Sequence, residues 1–486
     1  MLTPKNENTY LRRKLMARLL TLFFKGELEE KINFIPLELF PKDSQAVSCC
    51  IYKDRALTRY KIMALLGMNI EEDEDETKRI DFFLRKALKR EKVESPILTV
   101  VDIACNSCDG GRYYVTDMCQ GCAARPCEAN CHFDAVKVVN GRAVIDQDKC
   151  KRCGMCKEVC PYNAISYKPV PCVESCPVDA IRKDEGTGKA KIDFDKCIYC
   201  GKCVASCPFG AIMERSQILD IAKGLVSSKK MVALVAPSIA GQFPGTVRQV
   251  VSSLRKIGFY KVYEVAYGAE ITAENEADEL LEKVKNGEQE FLTTSCCPAY
   301  TTAVKKHLPD LLKYVSSTPS PMAFTAKKAK EVDAECTSVF IGPCIAKKHE
   351  AIDNGDVDYV MNFEELGAFF MALGVEVGEE EGSDFDPPIA TSRGRKFPVS
   401  GGVAQAVKGY LEDVGVNIES VQVDGLNKKN MAFLKRIDKV RGEAKLVEVM
   451  ACEGGCVNGP CVISNPKLSV RKVDAYAQEK VGTDER

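Results

Sequence analysis

The chain has 486 residues, 45% of them apolar, more than one ordinary core holds, and this predicts two to four domains. Sixty-eight Lys and Arg nearly cancel 69 Asp and Glu, so a formal net charge of −1 argues against nucleic acid or a membrane surface as partner. Twenty-five cysteines in so long a chain argue against a small secreted disulfide scaffold and for a reducing cytoplasm.

Residues 1–100 are predicted to be mainly helical, with apolar residues at three- and four-residue spacing over 11–24 and 79–90. The N-terminal apolar run 15–24 is broken by Arg18 and lacks a small-residue cleavage site, so it is not expected to be a signal peptide. No stretch approaches the ~18 apolar residues of a membrane span. Cys49-Cys50 is expected to be structural, because adjacent cysteines do not easily ligate one metal. The acidic run Glu71-Glu72-Asp73-Glu74-Asp75-Glu76 is expected to be a solvated loop.

Residues 101–215 replace the helical pattern with sixteen cysteines, from Cys105 to Cys207. Thiolates at this density select iron–sulfur clusters or zinc. Two runs have the full ferredoxin spacing: Cys150, Cys153, Cys156, Cys160 before Pro161, and Cys197, Cys200, Cys203, Cys207 before Pro208. In such runs three close thiolates hold one 4Fe–4S cluster and the fourth ligates its neighbour. Cys119, Cys122, Cys127 and Cys131 form a third run with a stretched middle, His132 standing where proline is usual and expected to be no ligand.

The last four cysteines divide into Cys105 and Cys108 and, far downstream, Cys172 and Cys176. The simplest repair is a ferredoxin unit split by insertion of a second one. Crossing then gives an inner pair of sets, Cys119, Cys122, Cys127 with Cys160 and Cys150, Cys153, Cys156 with Cys131. The outer pair is Cys105, Cys108, Cys172 with Cys207 and Cys197, Cys200, Cys203 with Cys176. This nested layout resembles the iron–sulfur subunits of formate dehydrogenases. The rival expectation is two or three clusters with Cys105, Cys108, Cys172 and Cys176 partly idle.

Residues 216–486 alternate strand-like and helical segments. Strands are predicted at 231–237, 262–266, 290–293, 339–341, 357–361 and 446–450, with helices at 247–256, 273–285 and 364–373. Such alternation predicts α/β layers with a mainly parallel sheet. The overall fold class is therefore a multidomain α+β chain: a helical N-terminal region, nested ferredoxin-like 4Fe–4S domains and a C-terminal α/β domain. Three cysteine motifs each follow a strand, where open α/β sheets place ligands. They are Thr294-Ser295-Cys296-Cys297-Pro298, Gly342-Pro343-Cys344-Ile345-Ala346-Lys347-Lys348 and Glu448-Val449-Met450-Ala451-Cys452-Glu453-Gly454-Gly455-Cys456.

These three motifs resemble the signatures of FeFe hydrogenases, and the likeness runs from about Ala236 to Pro460. The resemblance implies an H-cluster, a 4Fe–4S cube joined through a cysteine sulfur to a two-iron centre with CO, cyanide and a bridging dithiolate amine. Cys297, Cys344, Cys452 and Cys456 would ligate the cube, Cys456 bridging to the two-iron centre. Cys296 would relay protons, and Lys347 would donate to a cyanide. Pro237, Ser238, Met322 and Met450 would wall the cofactor. Glu276, Ser316 and Glu279 align with the family's proton path from Cys296 to solvent, the two glutamates three apart on one predicted helix face.

Tyr300, Gly342, Met322 and Asn458-Gly459-Pro460 depart from the best-known members and resemble the group B enzymes. Cys336 and Cys461 have no expected role. The resemblance implies reversible interconversion of H2 with protons and electrons in an anaerobe. A ferredoxin or similar soluble carrier would be the partner, and separate maturation proteins would supply the two-iron centre. The alternatives are a hydrogen sensor, a non-enzymatic hydrogenase-like assembly protein and a pure electron-transfer subunit.

Overall fold

The computed structural model describes residues 6–72 and 76–479, so Asp73, Glu74 and Asp75 of the acidic run lie outside the described residues. The N-terminal region is helical, with α1 (Glu7–Phe24), α2 (Ile51–Leu65) and α3 (Ile80–Lys89). Asn6 caps α1 by accepting from the Thr9 N–H at 2.9 Å. Leu15, Met16, Leu19, Leu20 and Leu22 put their apolar stripe into the main core. Helix α1 does not stand apart: Phe24 meets Phe369 edge-on, and Arg12 and Arg13 both pair with the buried Glu364 of the C-terminal half.

The cysteine-rich stretch is closed off by antiparallel strands. β1 (Leu98–Val100) pairs with Ile212–Glu214, so this stretch leaves and re-enters the fold at one place. Inside it, Arg112–Val115 pairs with Ile165–Lys168, enclosing a second unit in the same manner. That inner unit has a small core of its own, built on Cys127, Val136, Ala143, Ile145, Cys156 and Ile165.

The C-terminal half holds two all-parallel sheets rather than the single one expected. The first has four strands: β2 (Met231–Val235) and β4 (Thr337–Gly342) at its centre, β3 (Lys261–Glu264) and β5 (Tyr359–Asn362) at its edges. The second has three, with Leu446–Met450 between Leu292–Thr293 and Ser420–Asp424. Strands β2 and β5 and the central Leu446–Met450 are buried along their whole length, and β2 accordingly reads as a continuous apolar run, whereas Glu448 and Asn362 are buried polar residues in the other two.

One helix departs from expectation. The predicted strand 262–266 ends at Glu264, and α4 begins at Val265 and runs to Lys285, eight residues before the predicted start. Gly268 lies inside this helix at the point where a later helix, α5 (Pro321–Val332), crosses it. A methyl on Gly268 would sit 2.2 Å from the Pro321 carbonyl oxygen and 2.4 Å from Thr325 Oγ1. The lost backbone entropy of glycine is offset by this close approach. Gly268→Ala gains about 1 kcal/mol of helix propensity but must push backbone from backbone. We expect net destabilisation on the order of 1–3 kcal/mol, read as a lower denaturation midpoint; an unchanged or raised midpoint would refute the close-crossing account.

Candidate metal and catalytic site

The two sheets point the C-terminal ends of their strands at one cavity with about 870 Å³ of empty space. Ala236, Pro237 and Ser238 follow β2, and Cys296 and Cys297 follow Leu292–Thr293. Cys344 follows β4, and Cys452 and Cys456 follow Leu446–Met450. All of these line the cavity, together with Met322, Lys347, Met450 and Cys200. Cys297 is the N-cap of the helix Pro298–His307, whose first position is the proline favoured there.

The chemistry of the cavity is set by burial. Burial, reinforced by neighbouring sulfurs, pushes the thiols of Cys344 and Cys456 up to about 12, and those of Cys296 and Cys452 well above the ordinary thiol range. Four buried thiolates would repel one another in a low dielectric unless a cationic core balanced them. Two buried polar atoms on the wall have no hydrogen-bond partner, Ser238 Oγ and Lys347 Nζ. Lys347 Nζ does lie 2.7 Å from Glu350 Oε2 as an ion pair, which takes up one of its three N–H donors and leaves the others over. Burial opposes its charge, yet Glu350 and the Cys344 and Cys296 sulfurs outweigh burial and hold the ammonium charged. Converging thiols, an unspent buried cation and an unspent hydroxyl fit an anionic iron–sulfur cofactor with acceptor ligands.

Beside the thiols lies an acid. Glu276 is fully buried on α4, and one carboxylate oxygen accepts from the Ser295 N–H at 2.8 Å and Oγ at 3.0 Å. The other oxygen has no partner, and Cys296 is an electrostatic neighbour of this carboxyl. Burial lifts the Glu276 carboxyl to about 7, against the two hydrogen bonds from Ser295. Glu279, one turn on, is half-buried; desolvation is overcome by Lys283, Ser316 and Ser317, so its carboxyl falls below its ordinary value. Ser316 Oγ donates to it at 2.5 Å. Glu276 and Ser316 are joined through Ser295, whose Oγ reaches the Thr318 carbonyl at 2.7 Å, and through the Thr318 N–H, 3.1 Å from Ser316 Oγ.

The sixteen upstream cysteines sort by electrostatic neighbourhood. Cys127 neighbours Cys122 and Cys160, and Cys156 neighbours Cys131, Cys150 and Cys153. Cys172 neighbours Cys105, Cys108 and Cys207, and Cys203 neighbours Cys176, Cys197 and Cys200. Among the described residues no three Cys, His, Asp or Glu converge tightly enough for a single metal ion. Cys119, Cys122, Cys127 and Cys160 instead line one small pocket together.

The local backbone repeats. Each opening CxxC has a positive φ at its third residue: Ser107, Gly121, Arg152 and Tyr199. Each closing cysteine accepts a backbone N–H from an alanine four residues on: Ala135 to Cys131, Ala164 to Cys160, Ala180 to Cys176 and Ala211 to Cys207. The residue before each alanine also has positive φ, at Asp134, Asn163, Asp179 and Gly210. His132 stands in the same turn as the three prolines and takes no different place.

Family comparison agrees with these divisions. Residues 229–460 match the family described as iron only hydrogenase large subunit, C-terminal domain. This domain belongs to the iron-only hydrogenase large-subunit family. Upstream, residues 171–211 match a 4Fe–4S dicluster domain and residues 143–166 a 4Fe–4S binding domain, so the chain is of FeFe-hydrogenase type with 4Fe–4S domains. It is 29% identical over 387 residues to Iron hydrogenase 1 of Clostridium pasteurianum, covering 68% of this chain and 66% of that relative. It is 24% identical over 338 residues to cytosolic iron-sulfur assembly component 3 of Pongo abelii, covering 55% of this chain and 70% of that protein. Among solved structures it is similar to apo FeFe-hydrogenase HydA1 of Chlamydomonas reinhardtii, with TM-score 0.44, 21% identity, and coverage of 54% of this chain and 89% of that one.

Two residues of this hydrogenase-type site stand inside the cysteine motifs but had no role expected from sequence, Ser295 and Glu448. Ser295 holds Glu276, and its signal is only its place before the paired cysteines. Glu448 is buried by the same cavity, accepts from the Gly401 and Ala404 N–H groups at 2.7 Å, and is an electrostatic neighbour of Cys296 and Cys456. The folded Glu276 carboxyl sits above its unfolded value, so the stability it contributes is present at acid pH and lost as pH rises to about 7. Glu276→Gln should therefore gain stability relative to the parent chain above that pH and not at pH 5. An infrared carboxylic-acid band titrating near 7 and missing in the variant is the direct check.

Proposed function

We propose that this chain interconverts H2 with protons and electrons at an H-cluster, its accessory 4Fe–4S clusters carrying electrons to or from a soluble ferredoxin-type carrier in a reducing compartment. The observation that carries this reading is Cys296: a fifth buried thiol, beside four others and against a buried carboxyl that titrates near neutrality. A plain cube needs four cysteines, and a fifth that faces an acid suits proton transfer. Cys297, Cys344, Cys452 and Cys456 would hold the cube, and Lys347 and Ser238 would donate to the diatomic ligands. When bound, the two-iron centre supplies the redox chemistry of H2.

The protein's own part is to move protons and exclude water. Cys296 stays neutral through burial, Glu276 takes or returns a proton at its unpaired oxygen, and Ser316 and Glu279 continue the route to the surface. Tyr300, buried with its hydroxyl donating to Thr293 Oγ1 at 2.8 Å, fills its site by a hydrogen bond inside the protein rather than by a contact with the cofactor. With Met322 in the cavity wall and Gly342 at the end of β4, this supports assignment to group B. Four accessory clusters are inferred from the four matching loops and turns.

Similarity to an assembly component favours one second reading, a non-enzymatic iron–sulfur protein built on the same fold. Loading the reconstituted chain with a synthetic two-iron cofactor decides between them. The hydrogenase reading expects CO and cyanide infrared bands and H2 evolution from reduced viologen; absence of both sinks it. Cys296→Ala should keep the bands and lose turnover by a factor of 10² or more. Persistent turnover would remove Cys296 from the proton route. Iron analysis separates four accessory clusters from fewer.

A further inference from the structure

Of the twenty cysteines expected to ligate clusters, Cys153 alone is exposed; the others are buried or half-buried. It lies in the loop 149–157, where Lys149, Lys151, Arg152, Met155 and Lys157 are exposed as well. Lys149 leans on Asp146 at 3.8 Å, but Lys151 and Lys157 have no ion-pair partner among the described residues. The acids of this segment are Asp146, Asp148 and Glu158.

The surrounding unit has the composition of a contact surface. Residues 112–168 hold nine Lys and Arg against six Asp and Glu, whereas the rest of the chain holds 59 against 63. The same unit exposes Met118, Phe133, Val139, Val144, Met155 and Tyr162. Exposed Met155 between the unpaired Lys151 and Lys157, on a unit with its own core and an excess of cations, suits a transient protein partner of opposite charge. Arg152 lies over Gly111, 3.7 Å from where a side chain there would begin, beside the loop that carries Cys105 and Cys108. Cys200 of the outer cysteine sets lines the wall of the large cavity.

We propose that a small acidic one-electron carrier protein docks on the loop 149–157 and exchanges electrons with the cluster held by Cys131, Cys150, Cys153 and Cys156. This rests on the electron-transfer part of the function proposed above and not on its hydrogen chemistry. In the exchange one electron leaves the reduced carrier and the oxidised four-iron core takes it; no bond forms or breaks and no proton moves.

The test uses the full chain with reconstituted 4Fe–4S clusters and pre-reduced plant-type 2Fe–2S ferredoxin as the acidic carrier. Stopped-flow absorbance follows electron arrival on the clusters, with reduced methyl viologen as a small cationic donor for comparison. The second-order rate with ferredoxin should fall as salt is raised, and K151E/K157E should lower it about tenfold at low salt. The charge-neutral K151Q/K157Q should fall between. Iron content and the rate with methyl viologen should not drop in either variant. An unchanged ferredoxin rate in K151E/K157E overturns the proposal, and so does an equal loss with viologen, which would place the effect in the clusters. Because H2 is not part of the readout, failure of the hydrogenase reading leaves this result standing, and is scored separately by the H2 assay.

Discussion

Everything in the catalytic half depends on the cost of burying thiols beside one another. A lone buried cysteine is an inert small hydrophobe. Five around one cavity are different, because burial and neighbouring charge oppose ionisation of Cys296, Cys344, Cys452 and Cys456. Only protons or a cationic core can satisfy such a group, and the two states differ in what the surroundings must supply. Lys347 and Ser238, buried and unspent, are arranged for the second state. The two sheets serve to hold this unfavourable arrangement, since Cys296, Cys297, Cys344 and Cys452 lie within four residues of a strand end and Cys456 opens the short helical turn Cys456–Asn458.

The same physics separates the two acids on α4. Glu276 is enclosed, with two hydrogen bonds too few to offset desolvation, and keeps its proton to near neutrality. Glu279 has Lys283 and two serines around it and ionises readily. Two carboxyls one turn apart on the same helix therefore differ in whether they keep a proton near neutrality. Close packing at Gly268 fixes the helix that carries both, so the difference between them is set by position rather than by residue type.

Much of this was legible in the sequence because the relevant residues are chemically loud. Cysteine spacing named the motifs, and apolar stretches named β2, β4 and Leu446–Met450 closely. What stayed hidden depends on partners distant in the chain. Strand alternation does not say which strands pair, so two sheets were read as one; Leu292–Thr293, two residues long, owes its place to Leu446–Met450. The crossing of the Pro321 backbone at Gly268 is likewise invisible from its sequence neighbours. The closing turns did carry a signal, a cysteine followed after three residues by alanine with Asp, Asn or Gly between. It passes unnoticed until the positive φ values show why those residues stand there.

The antiparallel pairs that close the cysteine-rich stretch have a consequence for how such a chain changes. Leu98–Val100 with Ile212–Glu214, and Arg112–Val115 with Ile165–Lys168, each bring the two ends of an insert side by side. A segment with adjoining ends is a cassette: it can be lengthened, exchanged or removed without displacing what lies outside. Here one cassette is nested in another. The cysteine-rich part of the molecule is modular in a way the C-terminal half, locked between two sheets, is not.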